Sequence, residues 1–231
     1  MDSIKQLEST LGVKFKNEDI IKEALTHRSY LNEHPEWVLP HNERLEFLGD
    51  AVLELAVTEY LYNKFPASPE GQLTVYRAAL VNYQMLARVA ENIGLSEAIM
   101  MSRGEKSDNP RAKEVILANA CEAVVGAVYL DQGFRAAEEF TKKFVLSHLD
   151  EVIATGSYKD AKSELQEYVQ ERLRITPTYK LISESGPAHD RVFKMGVVVG
   201  SEIVAEGGGP SKQEAEISAA KEALARLKNA K

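Results

Sequence analysis

Apolar residues along this chain keep a helical period through its first two thirds and then change character. Leu45, Leu48, Val52 and Leu55 recur at i, i+3, i+7 and i+10, one stripe of an α-helix. Similar spacing predicts helices over residues 3–11, 17–26, 42–65, 71–93, 112–130 and 134–153. Pro35, Pro40, Pro66, Pro69 and Pro110 punctuate the connections. No strand-period pattern occurs before about residue 176. Thr155-Gly156-Ser157-Tyr158 then reads as a short linker, followed by a helix over 160–174. Partial alternation over 178–185 and a β-branched run over 192–199 predict two strands, with a third over 202–207. Gly200-Ser201 suits a tight hairpin between the last two. Gly207-Gly208-Gly209-Pro210 is expected to break the chain, and Ser211 to N-cap a final helix reaching Leu227.

The pattern therefore predicts an all-α domain over 1–154, a linker over 155–159, and a small α+β domain of order α-β-β-β-α over 160–229. Composition agrees with two folded parts. The 231 residues are 44% hydrophobic, enough for real cores. The start lacks the basic-then-apolar pattern of a signal peptide, and no apolar run is long enough to span a bilayer. Cys121 is the only cysteine, which excludes an internal disulfide and a cysteine-based zinc cluster. A cytoplasmic protein with no membrane partner is expected.

Charge separates the two parts. The net charge is -7 overall. Residues 156–231 carry 12 Lys+Arg against 11 Asp+Glu, whereas residues 1–155 carry 16 against 24. An acidic first part suits metal binding. The second part is nearly neutral, so binding of a polyanion there must come from local arrangement.

The acidic excess is concentrated in chemically suggestive places. Glu43, Glu46 and Asp50 stand at i, i+3 and i+7, within about 60° of arc on one helix face. Leu45, Leu48, Val52 and Leu55 lie on another side, and Phe47 and Leu53 flank the acids, so the strip is expected to be boxed in by apolar residues. Crowded, partly desolvated carboxylates tend to hold their protons, and a divalent cation reverses that cost. A solvated acidic face is the plain alternative. From Val115 to Leu130, Glu122 is the only charged residue in sixteen. A helix apolar on nearly every side should be buried, and a lone buried carboxylate must be paired or ligated. Asn119, one turn earlier, offers an oxygen to the same cation; a salt bridge from Glu122 to Arg or Lys is the competing reading. A scaffold whose acids pair with Arg44, Arg77 or Lys113 is a further one.

These residues carry a resemblance. Asn42-Glu43-Arg44-Leu45-Glu46-Phe47-Leu48-Gly49-Asp50 is similar to the signature of bacterial ribonuclease III. Ala24-Leu25-Thr26-His27-Arg28-Ser29-Tyr30, Glu70-Gly71-Gln72-Leu73-Thr74 with Leu80-Val81-Asn82, and Ile116-Leu117-Ala118-Asn119-Ala120-Cys121-Glu122-Ala123 resemble its other segments in order. The resemblance implies an all-α endonuclease domain followed by a double-stranded RNA-binding domain. It implies metal ligation by Glu46, Asn119 and Glu122, and catalytic work by Asp50 and Glu122. Glu43 and Glu70 become auxiliary acids, and His27 a structural residue. The implied cofactor is Mg²⁺, with Mn²⁺ able to substitute. The implied reaction is hydrolysis of double-stranded RNA to 5′-phosphate and 3′-hydroxyl ends, in ribosomal and messenger RNA precursors, by a homodimer. Asn119 departs from the family's usual Asp, which leaves open a catalytically weakened RNA-binding protein.

In the tail, Gly208-Gly209-Pro210-Ser211-Lys212-Gln213-Glu214-Ala215-Glu216 resembles the double-stranded RNA-binding domain. The resemblance implies minor-groove contacts from Gln166 and Glu167 and from the loop holding Pro187 and His189. Phosphate contacts are implied for Ser211, Lys212 and Gln213, where Gln213 replaces a usual basic residue. A small protein-interaction module is the plain alternative.

Overall fold

The computed structural model describes residues 2–105, 110–156, 161–187 and 191–229. The chain divides into two compact units, Met1–Tyr158 and Lys159–Lys231. The first is helical: α1 (Asp2–Leu11), α2 (Glu18–Ala24), α3 (Arg28–Glu33), α4 (Glu43–Lys64), α5 (Glu70–Val81), α6 (Tyr83–Asn92), α7 (Leu95–Ala98), α8 (Pro110–Gln132), α9 (Phe134–Phe144) and α10 (Leu149–Thr155). The second holds α11 (Ala161–Leu173), β1 (Thr178–Ser185), β2 (Val192–Val199), β3 (Glu202–Gly209) and α12 (Lys212–Asn229). None of the described helices is long and apolar enough to cross a membrane.

Helices α4 and α8 form the centre of the first unit. Along α8, Ala120, Cys121, Ala123, Val124, Val125, Ala127 and Val128 are all buried, as its nearly uncharged sequence requires. The two helices meet backbone to backbone. A Cβ on Gly49 would come within 1.8 Å of the Glu122 carbonyl oxygen, and one on Gly126 within 2.3 Å of the Leu45 carbonyl oxygen. Only glycine admits this approach. It sets the acids of α4 directly against Glu122.

The start of α4 is fixed from a second direction. The Asn42 N–H donates to Thr26 O at 2.9 Å, and the Asn42 amide donates to Ala24 O at 3.4 Å. The same short segment is stitched on its other side, where Met100 N–H donates to Leu25 O and His27 N–H to Met100 O. His27 caps α3, its Nδ1 accepting from Ser29 N–H at 3.3 Å, the structural role expected of it.

Several boundaries differ from the periodicity. The helix expected over 71–93 is two helices. Asn82 breaks it: its side chain accepts from Met85 N–H to open α6 while its amide donates to Ala78 O and Ala79 O to close α5. The helix expected over 134–153 is interrupted by a 3₁₀ turn at Leu146–His148. The short helices α3 and α7 span too few residues for periodicity to reveal. Thr155 belongs to α10 and Gly156, at φ +64, closes it; the rest of the expected linker, 157–159, lies outside the described residues.

The second unit is a three-stranded antiparallel sheet, order β1-β2-β3, with α11 and α12 contributing to one core. Leu165 and Val169 meet Val197, Ala205, Ala219, Ala220 and Ala223 there. The expected break at Gly207-Gly208-Gly209 is instead the end of β3. Met195 pairs with Gly207 and Phe193 with Gly209. A Cβ on Gly207 would lie 2.1 Å from Ala219 N. The glycines are strand residues that let α12 pack against bare backbone.

Candidate active site and RNA interface

The structure brings Glu46, Asn119, Glu122 and Asp50 together across the α4–α8 contact. Glu122 is partly buried, and burial together with the charges of Asp50, Glu46 and Glu54 pushes its carboxyl up to about 8. Burial also raises Glu46; Glu43 and Asp50 add to the rise, while a hydrogen bond with Asn119 opposes it. The tie between Glu46 and Asn119 thus spans the two helices. Among the described residues Glu122 has no ion pair, so the salt-bridge reading fails. The candidate cations are engaged elsewhere: Lys113 with Glu91 at 3.3 Å, and Arg77 with the Thr58 hydroxyl at 3.1 Å. Arg44 acts on Glu23.

Glu54 belongs to this group and was missed from sequence. Its signal was its position, one helical turn beyond Asp50 on α4. Glu43 lies at the rim, 3.6 Å from Arg28 Nη1 and 3.9 Å from His41 Nδ1. Glu70 lines a different cleft, with Thr58, Tyr62 and Arg77, and accepts a hydrogen bond from Thr74. Cys121, adjacent to Glu122, is buried, which pushes its thiol up to about 12 and leaves it chemically inert.

The expectation that apolar neighbours box in the strip needs correction. Leu53 is buried as expected, but Phe47 is 82% exposed and Leu55 55% exposed. With Tyr62 at 71%, they form an uncovered apolar stripe on α4. Within the strip Glu43 and Asp50 are exposed, and Glu46, raised by burial, meets Asn119 of α8.

Among the described residues, no three His, Cys, Asp or Glu side chains lie close enough to hold a metal by themselves. The donor set still fits a hard divalent cation. Glu46 and Glu122 supply carboxylate oxygens, Asn119 a neutral one, and the burial and neighbouring carboxylates that raise Glu122 and Glu46 are costs a cation would offset.

In the second unit Ser211 caps α12, its hydroxyl accepting from Glu214 N–H at 3.2 Å. Lys212 and Gln213 are exposed at that helix start, with the Lys212 ammonium 5.9 Å from the Phe193 ring centre. Gln166 and Glu167 are exposed on α11, and Pro187 is exposed after β1. His189 lies outside the described residues. Lys162 pairs with Glu216 at 2.6 Å and Lys228 with Glu164 at 2.6 Å, holding the two helices in register.

A helical acidic nuclease unit and an α-β-β-β-α unit with a capped basic helix start define a class: a nuclease for double-stranded RNA. Family models agree with each unit. Residues 17–149 match a Ribonuclease-III-like model, and residues 161–227 match the double-stranded RNA binding motif. Ribonuclease 3 of Bacillus licheniformis is 43% identical over 226 residues, covering 98% of this chain and 90% of the relative. Ribonuclease 3 of Dehalococcoides mccartyi is 43% identical over 229 residues, covering 99% and 97%. A solved nuclease domain of ribonuclease III from Campylobacter jejuni, described for flexibility in a region involved in dimer formation, is 41% identical. It covers 62% of this chain and 95% of its own, with a TM-score of 0.56. The chain belongs to the ribonuclease III family. It is a double-strand-specific endoribonuclease of a metal-dependent family, carrying a double-stranded RNA-binding domain. The reading as a binding protein without activity is not favoured.

Proposed function

We propose that Glu46, Asn119 and Glu122 hold the catalytic cation, Mg²⁺ with Mn²⁺ able to replace it. The observation carrying this is their assembly, beside Asp50, on two helices in backbone contact. When bound, the cation supplies charge stabilisation to the phosphoryl and leaving oxygens and eases deprotonation of water. Asp50, exposed at the cluster's edge, orients the attacking water and accepts its proton. Glu122 acts beside it, its carboxylate form favoured once a cation offsets Asp50 and Glu46. In-line attack leaves 5′-phosphate and 3′-hydroxyl ends. Glu43, at the cleft rim, and Glu70, in the separate cleft beside Thr58 and Arg77, serve as auxiliary acids. Asn119 gives an oxygen without a charge, so this site needs more Mg²⁺ than one with Asp.

For the tail we propose that Gln166, Glu167, Pro187 and His189 contact two minor grooves, while Ser211, Lys212 and Gln213 contact phosphates between them. Such domains span about 16 base pairs and read A-form shape. Residues 1–154 and 160–229 are the functional parts, joined by 155–159. The protein acts as a homodimer in the cytoplasm on ribosomal and messenger RNA precursors. The α4 stripe of Phe47, Leu55 and Tyr62 supports the dimer, since an uncovered apolar face of this kind suits a second copy.

The test is incubation of the full chain with a long RNA duplex and Mg²⁺, beside Glu122→Gln. Cleavage by the wild type and binding alone by the variant is expected. Binding without cleavage by both would show a protein that has lost catalysis.

A further inference from the structure

An RNA backbone entering this site meets a surface of its own sign. A cleft of about 450 Å³ opens beside Glu46 and Asn119, with Glu43 and Glu105 also on its walls. Of the described side chains lining it, Arg28 alone carries a fixed positive charge. The sequence resemblance and the metal cluster leave Arg28 without a role.

The geometry points to Arg28 as a substrate-positioning residue that grips a phosphate of the RNA strand next to the one being cut. This rests on the reading of the cleft as the cleavage site. Its backbone is held firmly. The adjoining segment is tied to α4 through Asn42 N–H to Thr26 O, and to the 99–101 strand-like stretch through His27 N–H to Met100 O. Arg28 opens α3 directly after the His27 cap. Its Cα therefore keeps a set position relative to Glu43 and Glu46. Its side chain, by contrast, is free to change partners. It is 72% exposed, and its contact with Glu43 is a single 3.6 Å approach rather than a two-point fork. Exposed pairs of this kind are worth only about 0–1 kcal/mol. A phosphate offers guanidinium a bidentate, charge-assisted pair that is shorter and stronger.

The free protein thus parks Arg28 on Glu43, which neutralises part of the acidic wall. RNA exchanges Glu43 for a phosphate. Arginine suits this better than lysine because its planar fork fixes the direction of the phosphate as well as attracting it.

The experiment uses the full chain and an RNA duplex of about 30 base pairs, longer than the roughly 16 covered by the tail domain. Binding is measured in chelator at about 50 to 200 mM salt, and KM and kcat in Mg²⁺, for wild type, Arg28→Gln and Arg28→Lys. Arg28→Gln should raise KM about fivefold to tenfold and flatten the salt slope of binding by about 1 per engaged subunit. Arg28→Lys should restore the slope and part of the KM. A thermal melt equal to wild type accompanies these effects, because the side chain is exposed. Unchanged KM and slope in Arg28→Gln would overturn the inference while leaving the cleavage site standing. Arg28→Lys as defective as Arg28→Gln, slope included, would also overturn it, since charge would then not be the cause. Failure of the wild type to cut the duplex would instead remove the cleavage-site reading on which the inference rests.

Discussion

The two units solve the problem of binding a polyanion in opposite ways. The tail uses groups that are already satisfied. Ser211 caps its helix, Lys162 and Lys228 hold their carboxylates, and the exposed residues of α11 and α12 stay solvated. The nuclease unit instead gathers Glu43, Asp50 and Glu54 around Glu46 and Glu122, two acids whose charges burial makes expensive. The difference teaches that the tail presents its residues to solvent at little cost, whereas Glu46 and Glu122 carry an electrostatic cost that the proposed cation would relieve.

The largest expected break in that comparison is chemical. Glu122→Gln should lower cleavage by about a thousandfold or more while leaving duplex binding within about twofold, read in parallel cleavage and gel-shift assays. Comparable loss of both would mean that the two units do not divide the work. Next come the close contacts that both units share. Gly126→Ala drives a Cβ toward Leu45 O, and Gly207→Ala toward Ala219 N. Each should cost about 2–3 kcal/mol by overpacking. Denaturant unfolding would assign each loss to its unit; the first should reduce cleavage and the second binding.

A pH series probes the strain itself. In the unfolded chain Glu122 loses its proton near 4.5, and in the fold only near 8. Because the folded value is raised, stability without metal should fall as pH climbs from about 4.5 to about 8. The loss is roughly 2 kcal/mol once residual solvent screening is allowed for. Glu122→Gln should flatten this dependence, and adding Mg²⁺ should restore stability at the alkaline end. A melting temperature that rises across the same window would contradict the picture. Asn119→Asp should shift the Mg²⁺ midpoint for cleavage downward by about three- to tenfold, since it adds one charge to the ligand set. The smallest effect belongs to the tail. Gln213→Lys should tighten duplex binding about threefold and steepen its salt slope by up to about 1. A slope equal to wild type would take Gln213 out of the phosphate contact.

Much of this was legible in the chain itself because local rules wrote it. The spacing of Leu45, Leu48 and Val52 marked α4, the uncharged run around Glu122 marked a buried helix, and Ser211 after the glycine run marked a capped start. The errors came where local rules allow two outcomes. Asn82 can sit inside a helix or cap a new one, and tertiary packing chose the cap. Gly207-Gly208-Gly209 reads as a break until α12 is placed against it, after which only glycine fits at Gly207 and Gly209. Phe47 and Leu55 carry the letters of core residues, yet α8 covers a different side of α4 and leaves them exposed.

The sequence by itself determined the element types, the order α-β-β-β-α after the helical unit, and that Glu122 stood where burial would be costly. Hydrophobic period and isolated charges are local, so they survive without a fold. Only the tertiary structure decided that Glu46 reaches Asn119 across two helices, that Glu54 joins the cluster, and that Arg28 stands at the mouth of the acidic cleft. Those relations depend on the distance between α4 and α8, which Gly49 and Gly126 set by letting two backbones touch.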